Sequence, residues 1–153
     1  MNPYMALALA EAKKGVEGGE GGPFGAVIVK DGEVIASGHN EVLKRNDPTA
    51  HAEMVVIRRA SASLEAFHLE GCTLYVTGEP CPMCFSAIHW AHLKEVIYAT
   101  TKDEAAAVGF DDVAITEILQ GRREESIPFI HQPQEACSRF IKSWSEAPTR
   151  IDY

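Results

Sequence analysis

Two stretches of the sequence, His51-Ala52-Glu53 and Glu79-Pro80-Cys81-Pro82-Met83-Cys84, carry the residues from which the rest of the chain is interpreted. They offer one imidazole and two thiols, which are ligands that zinc prefers. Three protein ligands leave the fourth tetrahedral position open for water, and an open position distinguishes catalytic zinc sites from structural ones. The sequence therefore predicts a catalytic site with one Zn²⁺ per chain, bound by His51, Cys81 and Cys84.

Both stretches are predicted to lie at the start of a helix. Asp47-Pro48-Thr49-Ala50 is typical of a helix start, and Pro82 suits an early helical position. Residues two apart do not share a face of a helix, so His51 and Glu53 can serve one site only from a helix N-terminus. A helix N-terminus also favours thiolate over thiol. We therefore expect two helices to point their N-termini at one metal ion.

Glu53 lies two residues after the histidine, and it is the candidate catalytic base for a water molecule. Two other interpretations of the cysteines remain open. They could form a redox pair of the Cys-x-x-Cys type, or half of a closed structural zinc site completed by Cys72 or Cys137. Neither interpretation explains a carboxylate beside the histidine, so the catalytic one is favoured.

Length and composition are typical of a single globular domain. The chain has 153 residues, of which 46% are hydrophobic and 24% charged, and this length can bury a sizeable core. Four cysteines, two of them assigned to the metal, argue for a reducing compartment rather than a disulfide framework. No secretory signal and no membrane-spanning apolar run is found. We expect a cytoplasmic protein without membrane contact.

The acidic composition of the chain argues against a nucleic-acid partner. The formal net charge is -8, whereas nucleic-acid binding depends on Lys and Arg residues that neutralise phosphates. In the segment 121–153 the basic residues are offset one for one by acidic residues. The basic residues are Arg122, Arg123, Arg139, Lys142 and Arg150, and the acidic residues are Glu124, Glu125, Glu135, Glu146 and Asp152.

Predicted strands and helices alternate along the chain. Strands are predicted at 24–29, 33–38, 72–77 and 95–99, with a proline-containing edge strand at 127–130. Helices are predicted at 4–14, from 51 to near 67, from 81 onward, at 102–108 and at 137–145. Asp31-Gly32 is typical of a hairpin turn. This order predicts an α/β fold, a three-layer α/β/α sandwich with a five-stranded mixed sheet, in one domain spanning 1–153.

With these motifs in hand, the chain resembles the cytidine-deaminase-fold zinc enzymes, and among them most closely the bacterial guanine deaminases. The resemblance runs from the first helix to the last residue. It is carried by the stretches at 21–32, 46–53 and 79–84, by Gly109-Phe110-Asp111-Asp112, and by the terminal Tyr153. The zinc motifs are shared with tRNA adenosine deaminases and cytosine deaminases. Gly78 departs from the pattern, because a small polar residue or cysteine is expected there.

The resemblance implies the hydrolysis of guanine to xanthine and ammonia in the cytoplasm. Glu53 would carry the proton from water to the substrate, and Asp112 would be a second proton carrier, unless it is a solvated loop carboxylate. Asn40 would hold the base, although it could instead cap a loop. Phe24 would pack against the base. Further substrate-binding residues implied are Ala52, Trp90 and Tyr153, with Trp90 open to interpretation as core.

The resemblance also concerns partners. Family members are homodimers, and the bacterial guanine deaminases exchange C-terminal segments, which here would be about 121–153. The expected ligand is a purine base. Two other hypotheses remain open: a deaminase of tRNA adenosine or cytosine, and a zinc-built binding module without catalysis. The second is disfavoured because Glu53 would then have no role.

Overall fold

The computed structural model describes residues 1–153, and its centre is a mixed four-stranded sheet. The strands are β1 (Gly25–Lys30), β2 (Glu33–His39), β3 (Cys72–Gly78) and β4 (Glu95–Thr100), in the spatial order β2-β1-β3-β4. β1 is antiparallel to both of its neighbours, whereas β3 and β4 are parallel. The four strands lie where the apolar runs predicted them.

The hairpin between β1 and β2 follows from its two turn residues. Asp31 and Gly32 both have positive φ, at 50° and 80°. A type I′ turn needs positive φ at both central positions, and Asp-Gly adopts it readily. The turn therefore brings Val29 opposite Val34 and fixes the pairing of the two strands. The predicted hairpin is confirmed.

Helices cover both faces of the sheet. They are α1 (Pro3–Glu17), α2 (Val42–Arg45), α3 (Ala52–Leu64), α4 (Pro82–Trp90), α5 (Lys102–Ala107), α6 (Val113–Leu119) and α7 (Glu135–Glu146). Side chains alternate between the faces of a strand. Val27 and Val29 accordingly pack against Ala8 of α1, while Ile28 packs on the other face with Val56 of α3. None of the helices is long and apolar enough to span a membrane.

The predicted fifth strand at 127–130 does not form, so the expectation of a five-stranded sheet was wrong. Pro128 cannot donate a hydrogen bond to a strand ladder. Phe129 and Ile130 are 82% and 84% exposed, so the segment packs on no sheet edge of its own chain. The sheet ends at β4, and the residues after α6 are almost all exposed.

The residues after α6, here called the C-terminal arm (121–153), contribute nothing to the core of the protomer. Its helix α7 has no buried residue. Phe140 and Ile141 are 73% and 70% exposed.

The candidate site lies on one side of the sheet, where the ends of β2 and β3 meet the starts of α3 and α4.

Candidate active site

The three predicted zinc ligands lie at the N-termini of two helices. His51 is the N-cap residue of α3, and Cys81 is the N-cap residue of α4, both with extended backbone. Cys84 lies in the first turn of α4, where its side chain is fully buried. The helix starts predicted from the sequence are therefore confirmed, and they explain how residues distant in sequence meet.

The distances among these ligand atoms suit a tetrahedral zinc ion. Nδ1 of His51 lies 3.5 Å from the Sγ atom of Cys81 and 3.5 Å from that of Cys84. Zinc bonds of about 2.3 Å to sulfur and 2.1 Å to nitrogen, at a tetrahedral angle, separate those atoms by about 3.6 Å. All three ligand atoms lie within 4.8 Å of one another. The residues present therefore fit the metal.

The two thiols are arranged so that one of them ionises easily. A hydrogen bond from the Cys84 thiol lowers the pKa of Cys81 to about 4, against the effect of burial, and His51 contributes to the lowering. The same hydrogen bond and burial raise the pKa of Cys84. The hydrogen bond to Cys81 also raises the pKa of His51. A divalent cation binds the deprotonated forms of these ligands, so metal binding releases protons.

Glu53 lies in the first turn of α3, next to the ligands. Its side chain is buried, with 6% of the residue exposed. Burial raises the pKa of Glu53, and the nearby Cys81 charge raises it further, although hydrogen bonds from its own backbone and from Cys84 oppose the rise. A buried carboxyl group with a raised pKa is suited to accept a proton and return it.

Most of the predicted site residues line one cleft of about 690 Å³ beside the ligands. The predicted residues in its wall are Phe24, Asn40, His51, Ala52, Glu53, Cys81 and Asp112. Cys84 lies buried in the first turn of α4. The structure does not bring Trp90 or Tyr153 into this cleft.

Asn40 caps a turn and also lines the cleft. It is 6% exposed, and its Oδ1 accepts a hydrogen bond of 3.1 Å from the backbone N–H of Val42. The side chain therefore caps the turn before α2. Its amide N–H groups have no partner within the protein, so they are free to donate to a molecule in the cleft.

Phe24 forms an aromatic corner of the cleft together with Phe110. Their ring centroids are 5.1 Å apart and the rings are nearly perpendicular, at 89°, which is a favourable edge-to-face arrangement. Phe24 also packs directly on Gly78, where an added Cβ would lie 3.0 Å from the ring. The missing side chain at position 78, the departure noted in the sequence, therefore gives this ring its place.

Asp112 has a carboxylate oxygen that is buried and lacks any hydrogen-bond partner within the protein, its Oδ2 atom. Such groups are rare, because leaving one unsatisfied costs about 1 to 3 kcal/mol. Asp112 lines the cleft, and its charge raises the pKa of His51. A bound ligand with an N–H donor would satisfy Oδ2. A solvated loop carboxylate, by contrast, is not expected to have a buried oxygen without a partner.

Glu79 and Phe110 are among the cleft residues that were not predicted as site residues from the sequence. Glu79 accepts a hydrogen bond of 2.9 Å from the backbone N–H of Lys102 at the start of α5, and it lines the cleft beside Cys81. Phe110 supplies the second ring of the aromatic corner. Both lie inside the motifs quoted above, so position within a motif was the available signal.

Trp90 and Tyr153 lie together outside the cleft. Trp90 is the last residue of α4 and is 65% exposed, so it is not part of the protomer core. The Tyr153 ring lies 6.2 Å from Trp90 and 6.3 Å from Phe67, measured between centroids. The terminal tyrosine thus contacts an exposed aromatic surface of its own chain and not its own cleft.

Comparison with known proteins agrees with this geometry. Residues 1–100 match the family model described as the cytidine and deoxycytidylate deaminase zinc-binding region. The chain belongs to this family. The resemblance seen in the sequence is confirmed, and so is the zinc cofactor, with His51, Cys81 and Cys84 as the clustered ligands.

Individual relatives are similar over nearly the whole chain. The guanine deaminase of Bacillus subtilis (strain 168) is 52% identical over 151 residues, covering 98% of this chain and 97% of the relative. The tRNA-specific adenosine deaminase of Aquifex aeolicus is 40% identical over 140 residues, covering 91% and 92%. The X-ray structure of guanine deaminase from Bacillus subtilis matches with a TM-score of 0.94 and 44% identity, covering 100% of this chain and 99% of the solved one.

Proposed function

We propose that the protein is a zinc-dependent guanine deaminase that hydrolyses guanine and water to xanthine and ammonia. One observation carries this proposal: two of the three clustered ligands, His51 and Cys81, and the buried Glu53 line the same cleft as Asp112, whose Oδ2 has no partner. The similarity to a guanine deaminase over 98% of the chain supports guanine as the base. The aromatic corner of Phe24 and Phe110 suits a flat purine ring.

The residues of the cleft divide the work of the reaction. When bound, zinc supplies a nucleophile at neutral pH by lowering the pKa of a water molecule. Glu53 accepts one proton from water and passes it to a ring nitrogen, and the second proton of the water reaches the departing amino group, which leaves as ammonia. Asn40 donates to an acceptor of the base and holds it in register. Asp112 accepts from the amino group of the base and serves as the second proton carrier.

We also propose that the protein acts as a homodimer in which the C-terminal arms are exchanged. The arm exposes large apolar side chains, with Trp144 at 45%, Ile151 at 64% and Tyr153 at 73%. Exposed apolar groups of this number are typical of an interface, and exchange of a terminal segment is a low-cost route to a dimer. In such a dimer Tyr153 would close the partner's cleft. Four free cysteines favour the reducing cytoplasm as the location.

A direct substrate comparison tests the function. The zinc-loaded protein is incubated with guanine, adenine, cytosine and a tRNA anticodon stem, and released ammonia is measured. We expect turnover of guanine with the highest kcat/KM. The second candidate is tRNA adenosine, favoured by the relative that is 40% identical. Efficient deamination of the tRNA stem would identify tRNA adenosine, and not guanine, as the substrate. No turnover of any of these substrates would favour the non-catalytic binding module.

The role of Asp112 can be tested separately. Asp112→Asn keeps the size of the side chain and removes its charge, so we expect guanine turnover to fall by about tenfold or more, with zinc content unchanged. Asp103→Asn, on the exposed first turn of α5, is the matched control and should leave the rate within error. If the rate of Asp112→Asn equals that of the wild type across the pH profile, Asp112 has no catalytic role and is a solvated loop carboxylate.

A further inference from the structure

Outside the cleft, one histidine is buried between two carboxylates. His39 is the last residue of β2, it is 3% exposed, and it directly precedes Asn40. Its Nδ1 lies 2.7 Å from a carboxylate oxygen of Glu11, which belongs to α1. Its Nε2 makes a hydrogen bond to a carboxylate oxygen of Glu20, in the loop between α1 and β1. The ring thus connects a helix, a strand end and a loop.

Both ring nitrogens face an acceptor, and this determines the proton count of the ring. A neutral imidazole donates from one nitrogen only, whereas the imidazolium form donates from both. The hydrogen bond from His39 lowers the pKa of Glu20, and Lys44 lowers it further, so Glu20 stays ionised. The arrangement is therefore complete only with a protonated His39 making two charge-assisted hydrogen bonds. Helix α1 packs tightly on this ring, since a Cβ at Gly15 would lie 2.5 Å from it.

The charged groups around His39 form a network in which each carboxylate is paired with a cation. The Glu41 carboxylate lies within 4.8 Å of the Glu20 and His39 ligand atoms. Every carboxylate of the network also has a Lys or Arg partner. The pairs are Glu11 with Lys14, Glu20 with Lys44, and Glu41 with Arg45 and Arg59. Because these cations already neutralise the carboxylates, the cluster is an ion-pair network and not a second metal site.

The network is mechanically linked to the cleft through the residues after Glu20. Gly21 and Gly22, here called the glycine wall, line the cleft. The glycine wall touches Asn40 so closely that a Cβ at Gly21 would lie 2.2 Å from Asn40 Oδ1. The backbone carbonyl of Glu20 also accepts hydrogen bonds of 3.0 Å from the N–H groups of Leu43 and Lys44. The place of Glu20 therefore sets the place of the glycine wall beside Asn40.

We infer that protonated His39 is a positioning residue that holds the glycine wall against Asn40, so that loss of the ring proton weakens binding of the purine base. This inference rests on the proposed function. Loss of the proton from Nε2 leaves a lone pair facing the Glu20 oxygen that it bonded, so Glu20, which belongs to the loop, keeps only Lys44 as a side-chain donor. The wall then loosens and KM rises. The zinc ligands and Glu53 lie on other elements, so kcat and metal content stay the same.

The test compares KM and kcat for guanine from about pH 6 to about pH 9 in the wild type, His39→Gln and Glu20→Gln. Glutamine at position 39 donates at every pH, and glutamine at position 20 can accept from a charged ring or donate to a neutral one. Both variants should therefore lose the pH dependence of KM that is due to His39. The titrations of guanine and of Glu53 affect KM equally in all three proteins. The ratio of the KM values of two proteins at each pH therefore isolates the pH dependence that is due to His39.

We expect the wild-type KM, relative to His39→Gln, to rise about tenfold across this range, the size expected for one lost charge-assisted hydrogen bond. His68→Gln, an exposed histidine in the connection before β3, is the matched control and should follow the wild type. Parallel KM profiles in the wild type and both variants would overturn the inference. Absence of any guanine turnover would instead overturn the proposed function.

An NMR titration keeps the inference testable in that case. We expect the amide resonances of Gly21 and Gly22 to shift with the same midpoint as the His39 ring in the wild type. In Glu20→Gln the His39 ring should still titrate, but the glycine amides should no longer follow it. Glycine amides that ignore His39 in the wild type would overturn the inference without reference to catalysis.

Discussion

At the scale of single residues, Glu53 combines two properties that are difficult to obtain together. It is 6% exposed, so burial raises its pKa, yet it remains beside an open cleft through which water and a base can enter. Burying a carboxyl group of this kind is costly to the fold. The proposed role as a proton carrier accounts for its position at the N-terminus of α3, next to His51.

We predict that Glu53→Gln keeps zinc and loses turnover. The amide has nearly the size of the carboxyl group but cannot carry the proton, and general acid–base catalysis contributes about 10²- to 10⁴-fold, or about 3 to 5 kcal/mol of barrier. The measurements are kcat with guanine and zinc content by elemental analysis. Glu70→Gln, at an exposed position, is the control. A variant with bound zinc and near-normal kcat would disprove the role of Glu53.

At the scale of elements, the metal joins α3 to α4, and we predict that Cys81→Ser and Cys84→Ser lose zinc and stability together. The metal crosslinks two helices of the domain, and metal binding is coupled to folding. Zinc content and thermal melting, with and without chelator, are the measurements. Cys72→Ser is the control: Cys72 is buried in β3, where burial raises its pKa, and it lies outside the ligand cluster.

The same variants decide between the interpretations that the sequence left open. Full zinc content in Cys81→Ser or Cys84→Ser would contradict the ligand assignment. Loss of zinc from Cys72→Ser or Cys137→Ser would favour a closed structural site with a fourth cysteine. The structure disfavours that outcome, because Cys137 lies exposed on α7 in the C-terminal arm.

Glu41 connects α2 to α3 through two ion pairs. Its side chain is 1% exposed and binds Arg45 and Arg59. Burial would raise the pKa of Glu41, but the hydrogen bond from Arg45 and the charge of Arg59 outweigh burial and lower it. A lowered pKa means that the ion pairs stabilise the fold above the unfolded-state pKa. That stability is lost as pH falls through the folded-state pKa.

We therefore predict that Glu41→Gln lowers the free energy of unfolding by about 1 to 3 kcal/mol at neutral pH. The difference from the wild type should shrink below about pH 4, where the wild-type carboxylate takes up its proton. Urea denaturation at both pH values is the measurement, and Glu33→Gln, exposed on β2, is the control. An equal difference at both pH values would contradict the role of the ion pairs.

The elements also show what the sequence can and cannot predict. The hairpin and both helix starts follow from local chemistry, since Asp31-Gly32 and Pro82 restrict the backbone where they stand. The buried, unpartnered Oδ2 of Asp112 depends on how the loop after α5 packs, which no local pattern records. The fifth strand failed for a related reason, because pairing depends on where the chain after α6 runs, and 127–130 pairs with neither open edge of the sheet, β2 or β4.

At the scale of the whole molecule, the protomer has more apolar surface than its own fold covers. The arm exposes Phe129, Phe140 and Ile141 at the surface. Helix α4 also exposes the aromatic residue Phe85, which is 59% exposed. Tyr153 lies against Trp90 and Phe67 of its own chain, away from its own cleft. If the terminal tyrosine acts on catalysis, it therefore acts on a partner's site, and this consequence can be tested.

We predict that deletion of residues 151–153 impairs guanine turnover while zinc stays bound, because Tyr153 offers an apolar ring and one hydrogen bond with which to close a cleft. The measurement is kcat/KM together with zinc content. Deletion alone does not tell an arm that acts on its own site from an arm that acts on its neighbour's. A mixed dimer makes that distinction.

The mixed dimer pairs a Glu53→Gln chain that has an intact arm with a chain that keeps Glu53 and lacks 151–153. Coexpression with two affinity tags supplies it, since exchanged chains separate slowly. In an exchanged dimer the intact arm reaches the intact Glu53, so we expect about one competent site per dimer. In a dimer without exchange every site lacks one component, and activity should not exceed that of the two parents. Activity at the parental level would disprove the exchange and leave the chemistry of the zinc site unaffected.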